Sequence, residues 1–287
     1  ANLGTDLSDD HPICFVYDSA LATAHGQLRD PATLNNKVRL DHTGQMQCTS
    51  CHDPHDNQYG KFLVQDNYAS ALCLQCHNPN YWADSAHRLS NKTWNGTGLN
   101  PWPHSTNTTV AANACASCHA SHAAGTKPRL LNHALEEDNC FACHNGNVAT
   151  HNLQPEFNKF SAHPILDTSA VHDPAEDALN PPRHVECVDC HNPHGAPMPN
   201  SPRMARGNEP GCVKCHGDKA GPFPFEHAAV KLEGCGSCHE PHGSSNPRQL
   251  TRQEVRLVCL ECHSNLPTPA AQPAPALGTV PPAFHDL

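Results

Sequence analysis

Two cysteines and a histidine recur along the chain in the fixed spacing Cys-x-x-Cys-His. The motif occurs eight times and uses sixteen of the seventeen cysteines. Cysteine and histidine are the residue types that most often hold metals and metal cofactors in proteins. The pattern therefore points to cofactor chemistry at eight repeated places.

The spacing fits one cofactor in particular. Two cysteines three residues apart can present both sulfurs along one edge of a porphyrin, and the adjacent histidine then lies beneath the iron, as in c-type haem attachment. The attachment cysteines would be Cys48, Cys51, Cys73, Cys76, Cys115, Cys118, Cys140, Cys143, Cys187, Cys190, Cys212, Cys215, Cys235, Cys238, Cys259 and Cys262. The motif histidines that would bind iron are His52, His77, His119, His144, His191, His216, His239 and His263.

Structural zinc is an alternative, because zinc sites also use paired cysteines, and disulfides within each motif are another. Neither explains why a histidine follows directly after every second cysteine. We therefore predict eight covalently attached c-type haems, whose metal is iron.

The motifs form four tandem pairs, with 24 or 25 residues between motif starts within a pair and variable spacers between pairs. In each pair the first motif has an additional histidine three residues after its own, and the second motif lacks it. These additional histidines are His55, His122, His194 and His242. A short basic or apolar sequence follows each first motif: GKFL, KPRLL, SPRM and NPRQL.

The additional histidine should bind the iron of a different haem. Residues three apart share a face of a helical turn, so His55 is predicted to project beside His52. His52 already occupies one side of its own iron, and its neighbour cannot reach round the flat macrocycle. The second haem must therefore lie against the first, and such contact suits electron hopping.

The other histidines divide into two groups. Candidates for the remaining second ligands are His11, His42, His104, His163, His184 and His227. Those expected at the surface or against haem propionates are His25, His87, His133, His151, His172 and His285. Because methionine occurs three times, it could cap at most three irons. Ligation by two histidines throughout would favour rapid electron exchange and leave no open position for a substrate.

Composition predicts an irregular fold. Hydrophobic residues make up 37% and aromatic residues 5% of 287 residues, and 27 prolines interrupt the chain. We therefore expect mostly coil with short α-helices, a core made of stacked haems and little β-structure. The formal charge of −10, without a basic run, disfavours a nucleic-acid partner. No apolar stretch is long enough to span a membrane. The start at Ala1, with no leader, suggests an exported mature product.

The repeat predicts six segments: residues 1–47 as an N-terminal segment with candidate ligands, 48–92 as haem pair 1, 93–162 as pair 2, 163–226 as pair 3, 227–263 as pair 4, and 264–287 as a tail. The tail is rich in proline and alanine, so it should be extended and ordered only by docking, which favours self-association. Cys14 lies outside every motif. It is expected to be buried, and an intersubunit disulfide is the alternative.

The doubled motifs with CHxPHG-like first halves resemble multihaem c-type cytochromes of metal-reducing and related bacteria over about residues 11–263. In that family the haems form a continuous chain with two histidines on each iron. Members act as periplasmic relays, as porin-embedded conduits, or as extracellular polymers called cytochrome nanowires. The resemblance implies that His55, His122, His194 and His242 are distal ligands. Pair 2 departs from the pattern, since CHASH replaces CHxPH.

The predicted function is electron transfer along eight haems, in extracellular electron transfer and at the cell surface or outside the cell. Its partners would be other redox proteins or extracellular acceptors, and further copies of the chain in a filament. A periplasmic or porin-embedded conduit is the alternative. A multihaem reductase is the rival class, because one iron with an open position would suffice for catalysis.

Overall fold

The computed structural model describes residues 3–125, 127–166, 184–195 and 210–263. Most of these residues lie in coil and turns. The strands β1 (Phe15–Val16) and β2 (Gln45–Met46) form an antiparallel pair in which Phe15 faces Met46. The prediction of an irregular fold with short helices and little β-structure is confirmed.

The helices of the described residues are all short. They are α1 (Ser19–His25), α2 (Cys48–Cys51), α3 (Cys73–Cys76), α4 (Ala86–Leu89), α5 (Val110–Asn113), α6 (Glu136–Phe141), α7 (Cys187–Cys190), α8 (Pro210–Cys215), α9 (Ala228–Leu232) and α10 (Val255–Leu260). Turns of 3-10 helix cover Pro31–Thr33, Tyr68–Ser70, Trp82–Asp84, Ala114–Ser117, Pro128–Leu130, Gln154–Asn158, Gly217–Lys219, Cys235–Ser237 and Pro247–Gln249. No described helix is long and apolar enough to cross a membrane.

Every haem-attachment motif folds into the same local turn. In all eight, the backbone N–H of the motif histidine donates to the carbonyl of the first cysteine at 2.8–3.1 Å. This bond closes one helical turn, after which the chain becomes extended: His52 has φ −124° and ψ 135°, and His191 has φ −116° and ψ 139°. The hydrogen bond thus recurs in all eight motifs, although the turn is α-helical in some and 3-10 in others, and His216 is not extended (φ −98°, ψ 47°).

The basic or apolar sequence after a first motif folds back onto that motif. Isolated bridges join His52 to Leu63, His119 to Leu131, and His239 to Leu250. At each place two consecutive residues adopt left-handed backbone, with φ between 54° and 58° at Lys61 and Phe62, Arg129 and Leu130, and Arg248 and Gln249. The corresponding SPRM sequence of pair 3 lies outside the described residues.

Side chains contribute little core of their own. Among the described residues, the buried apolar cluster is formed by Trp102, Val110 and Val148, with Trp94 and Cys143 against it. Such a core is small for a chain of 287 residues. The repeated turns must therefore be organised mainly around cofactors rather than around apolar side chains.

Candidate haem sites

Within the described residues, seven of the eight motif histidines have a second imidazole beside them. The ring centres of the seven pairs are 5.8–6.4 Å apart. The pairs are His52 with His122, His77 with His11, His119 with His194, His144 with His87, His191 with His242, His216 with His163, and His263 with His227.

These separations fit iron bound between two imidazoles. A metal–imidazole bond is about 2 Å long and the ring centre lies about 1 Å beyond the nitrogen, so two imidazoles on opposite sides of one metal have centres about 6 Å apart. Two thiols on the preceding turn stand ready for thioether formation at each place. The residues therefore fit c-type haem, which supplies one-electron redox chemistry when bound.

The motif histidine of a first motif is oriented by the left-handed loop. Nδ1 of His52 lies 2.9 Å from the carbonyl oxygen of Lys61, and Nδ1 of His119 lies 3.0 Å from that of Arg129. Nδ1 of His239 lies 2.9 Å from the carbonyl oxygen of Arg248. A bond of this kind fixes the tautomer and the ring, and leaves Nε2 to bind iron.

A single rule relates the imidazole pairs to the order of the chain. The first motif of a pair faces the additional histidine of the next pair, as His52 faces His122 and His191 faces His242. The second motif faces a histidine that precedes the first motif of its own pair. These preceding histidines are His11, His87, His163 and His227.

The same three residues of the next pair also hold the preceding histidine in place. We call residues 53–55, 120–122, 192–194 and 240–242 the docking segments. His87 Nδ1 donates to the Pro193 carbonyl at 2.8 Å, and His163 Nδ1 donates to the Pro241 carbonyl at 2.8 Å. In the first junction the backbone N–H of His11 donates to the Ser121 carbonyl at 2.9 Å. The docking segments of pairs 2, 3 and 4 thus each contact two histidines of the preceding haem sites, one through the docking imidazole and one through a backbone carbonyl.

Tight packing accompanies two of these junctions. A Cβ added at Gly195 would lie 2.6 Å from the Tyr81 carbonyl oxygen, and one at Gly243 would lie 2.0 Å from the Glu156 carbonyl oxygen. Aromatic rings cover the docking histidines at the same places, with ring centres 6.4 Å apart for Trp82 and His194 and 5.6 Å for Phe157 and His242. The segment before each of these pairs therefore packs closely against the docking segment and leaves no room for a side chain at the glycine.

The thiols follow one another in sequence order. Within a pair, Cys51 interacts with Cys76, Cys143 with Cys118, and Cys190 with Cys212. Between pairs, Cys73 interacts with Cys115, Cys140 with Cys187, and Cys212 with Cys235. These interactions link the first seven motifs in the order of the sequence.

Several motif and docking histidines are held in the form that binds metal. Burial, with a smaller contribution from His11, lowers the pKa of His77 to about 4. Burial is also the main cause that lowers the pKa of four others: His144, His191, His194 and His242. A neutral imidazole offers its lone pair to iron without first losing a proton.

A buried acidic group lies where pair 2 meets pair 3. Glu137 and His184 are 4% and 2% exposed, and His184 Nε2 lies 3.3 Å from Glu137 Oε1, an ion-pair distance without hydrogen-bond geometry. Glu186 is buried beside them and caps α7. Glu136 accepts from the Cys187 N–H at 3.1 Å, and burial raises the pKa of its carboxyl.

Three histidines proposed from the sequence as second ligands are not beside any motif histidine in the described residues. His42 is exposed in the turn closed by Asp41, and His104 is exposed in the turn after Trp102. His184 is buried against Glu137 instead. We therefore no longer include these three among the proposed ligands.

The sequence reasoning missed one ligand position. His87, assigned to the surface, lies opposite His144 with ring centres 6.2 Å apart. A signal was present, because the tripeptide Ser-Ala-His occurs both at residues 85–87 and at 161–163, where His163 was proposed. The spacing to the following pair differs between the two, which is why position alone could not identify His87.

The structure differs from two further expectations, which concern His55 and Cys14. His55 was expected beside His52 on one helical turn, but α2 ends at Cys51 and His52 is extended. Residues 53–56 then form a separate turn, in which the Asp56 N–H donates to the Asp53 carbonyl at 3.2 Å. Cys14 was expected to be buried but is exposed, with φ 63° and its Sγ 3.4 Å from Gln47 Oε1. His172, His285 and the tail 264–287 lie outside the described residues.

Known proteins share both the motif and its doubling. The family model described as the doubled CXXCH motif matches residues 42–80, 107–149, 180–221 and 227–268, more than half of the chain. The multiheme cytochrome MtrA of Shewanella baltica (strain OS185) is 31% identical over 196 residues, which are 64% of this chain and 46% of that protein. The chain thus spans less than half the length of this relative.

The resemblance noted in the sequence is therefore confirmed at the level of the family. The four matched segments correspond to the four pairs of motifs, and their residues fit covalently bound haem in geometry and chemistry. The chain belongs to the doubled CXXCH motif family and is a multihaem c-type cytochrome.

Proposed function

We propose that the chain carries eight haems and conducts electrons along them in the order of the motifs. The observation that carries this proposal is the set of seven imidazole pairs, each at the separation expected for iron between two histidines. The interacting thiols of the first seven motifs support a row without gaps. Each haem site takes residues from two neighbouring parts of the chain, which holds adjacent macrocycles together.

The residues have separate tasks in this relay. Cysteines fix each macrocycle, motif histidines bind one face of the iron, and docking or preceding histidines bind the other. The carbonyls of Lys61, Arg129 and Arg248 orient three of the motif imidazoles. Formal charge of −10 and the haem propionates should keep the potentials low.

Intact mass and spin state test the proposal together. The mature protein should exceed the mass of the polypeptide by eight haems, and at least seven irons should be low-spin in the oxidised state. A smaller mass increment would remove motifs from the relay. A high-spin signal from several irons would contradict ligation by the observed imidazole pairs.

We further propose that the chain works in extracellular electron transfer, with other redox proteins or extracellular acceptors as partners, and self-associates into a filament. A periplasmic or porin-embedded conduit is the alternative. Fractionation of the native cells with antibody to the protein separates these places. Electron microscopy of the purified protein tests for a filament.

The reductase alternative is favoured by one observation. No imidazole lies against His239 among the described residues, and an iron with an open position is what a multihaem enzyme needs. Binding of cyanide or nitrite to the oxidised protein at every protein concentration, together with turnover of nitrite or hydroxylamine, would support an enzyme. We place it second because a ligand from another copy would fill the same position.

A further inference from the structure

The rule that each pair is completed by the next leaves residues unused at both outer pairs. At pair 1, His55 has 92% of its side chain exposed and faces no motif histidine among the described residues. The equivalent His122 is 41% exposed because it lies against pair 1. The first docking segment therefore has a free ligand.

Pair 4 has the residues that would receive a docking segment, but no docking segment lies against them among the described residues. His239 is oriented by the Arg248 carbonyl just as His52 and His119 are oriented by theirs, but no imidazole lies opposite it in the described residues. His227 faces His263, yet it is exposed and its ring contacts no docking carbonyl among those residues. Both functions that a fifth docking segment would serve are thus unfilled.

Aromatic side chains also precede His227, and they are exposed to solvent. Trp82 and Phe157 precede the histidines His87 and His163 and lie against the docking histidines of the next pair. Phe223 and Phe225 precede His227 in the same way, but they are 47% and 96% exposed. Large exposed apolar side chains beside an incomplete polar site mark an interaction surface.

We propose that the docking segment of one copy fits this surface of a second copy, so that His55 binds the iron at His239 and the Pro54 carbonyl accepts from His227. This inference rests on the proposed haem loading and deepens the proposed relay. Every inner junction already uses such a contact, so a second copy needs no new chemistry. Because the two surfaces differ, the contact is heterologous, and its repetition builds an open chain of subunits.

One residue distinguishes this contact from two of the inner junctions. Asp56 stands where pairs 3 and 4 have Gly195 and Gly243, whose positions admit no side chain. The junction between pairs 1 and 2 instead accommodates Ala123 with φ 54°, held by Asp10. The surface before His227 must likewise leave room for a side chain after the docking histidine.

Two complementary variants of the haem-loaded protein test the proposal. His55→Ala removes the free ligand, and Phe225→Ser alters the receiving surface at a side chain that is 96% exposed, so neither should disturb folding. Their matched controls are His133→Ala and Leu99→Ser, at an exposed histidine and an 88% exposed leucine. Spin state by electron paramagnetic resonance and size by sedimentation are measured over a range of concentrations.

The wild type should form longer assemblies as its concentration rises. Its high-spin fraction should fall from about one-eighth towards zero, since one haem in eight gains its second imidazole. His55→Ala should stay monomeric with about one-eighth high-spin iron at every concentration. Phe225→Ser should need higher concentrations than the wild type, and both controls should match the wild type. Mixing the two variants should form dimers and convert the open haem of His55→Ala to low spin.

Three results would overturn the proposal. His55→Ala could match the wild type in size and spin. The wild type could be fully low-spin as a monomer, in which case His172→Ala and His285→Ala would identify a ligand from the same chain. The wild type could also remain monomeric with an open haem at the highest concentration. Failure of the relay itself is distinct, because it would appear as missing haem mass or as high-spin iron among the other seven haems.

Discussion

The inner junctions of the chain and its two outer pairs use the same residue types, but only the inner junctions are complete. Between pairs 3 and 4, His242 faces His191, the Pro241 carbonyl holds His163, and Phe157 covers the docking histidine. At pair 1 the docking segment is exposed, and at pair 4 the receiving residues are. The difference teaches that the imidazole pairs at the inner junctions join successive pairs of motifs, so that haem bound there would hold these pairs together.

The largest expected effect breaks an inner junction. His122→Ala should convert about one haem in eight to high spin at every protein concentration, because the iron at His52 loses its second imidazole. The measurement is electron paramagnetic resonance of the oxidised protein. His55→Ala is the matched change at an outer pair, and in the dilute monomer it should leave the spectrum of the wild-type monomer unchanged. A fully low-spin His122→Ala protein would show that the inner pairing is wrong.

A change in the buried charges between pairs 2 and 3 should cost stability instead. His184→Ala removes the buried imidazole that packs against Glu137 and leaves a cavity, which should lower the free energy of unfolding by about 2–5 kcal/mol. Denaturant unfolding followed by circular dichroism measures it. The exposed Lys219–Asp218 pair near pair 4 supplies the control, and Lys219→Ala should leave the midpoint unchanged. Equal midpoints for both variants would refute a structural role for the buried pair.

A smaller loss should follow from adding one methyl group at a docking junction. Gly243→Ala brings a Cβ to within 2.0 Å of the Glu156 carbonyl oxygen at a backbone φ of 150°, so it should cost about 1–3 kcal/mol. Gly217→Ala is the control, because an added Cβ there meets nothing within 4 Å. Thermal unfolding of the two variants compares them. If Gly243→Ala melted with the control, the junction would be looser than the geometry indicates.

Acidification should lower the stability of the folded protein gradually, through the histidine His77. Above pH about 6.5 His77 is neutral both folded and unfolded, so pH does not act through it. Below about 6.5 the unfolded chain takes up a proton that the folded chain does not, because burial lowers the pKa of His77 to about 4 and iron bound to its ring would also hold it neutral; stability then falls by up to about tenfold in the folding equilibrium per pH unit. Unfolding midpoints at pH 7, 6 and 5 measure it, and midpoints that rise on acidification would contradict the burial of His77.

The sequence predicted the attachment chemistry well and the second ligands less well. The spacing in each motif fixes a helical turn through bonds between near neighbours, so its geometry could be expected from the residues alone. The same holds for the docking histidines His122, His194 and His242, whose tether to the motif is short. By contrast, His11, His87 and His163 reach their partners 53–66 residues further along the chain, across spacers of unequal length.

Local proximity in sequence was misleading at three positions. His42 and His184 lie close before a first motif and were proposed for that reason, but side-chain hydrogen bonds of Asp41 and the buried Glu137 determine their surroundings. His87 was passed over because nothing near it in sequence binds haem. Which histidine meets which iron depends on how successive pairs dock, and that is a property of the folded chain.

The paired left-handed residues of the loops have an electronic consequence. At Lys61, Arg129 and Arg248 the chain accepts an unfavourable backbone conformation, costing ~1–2 kcal/mol per residue, and in return aims a carbonyl at the imidazole of a motif histidine. Such a hydrogen bond makes the imidazole a stronger donor to iron. Because His52, His119 and His239 share this bond, it should shift the reduction potentials of the three irons bound there in the same direction.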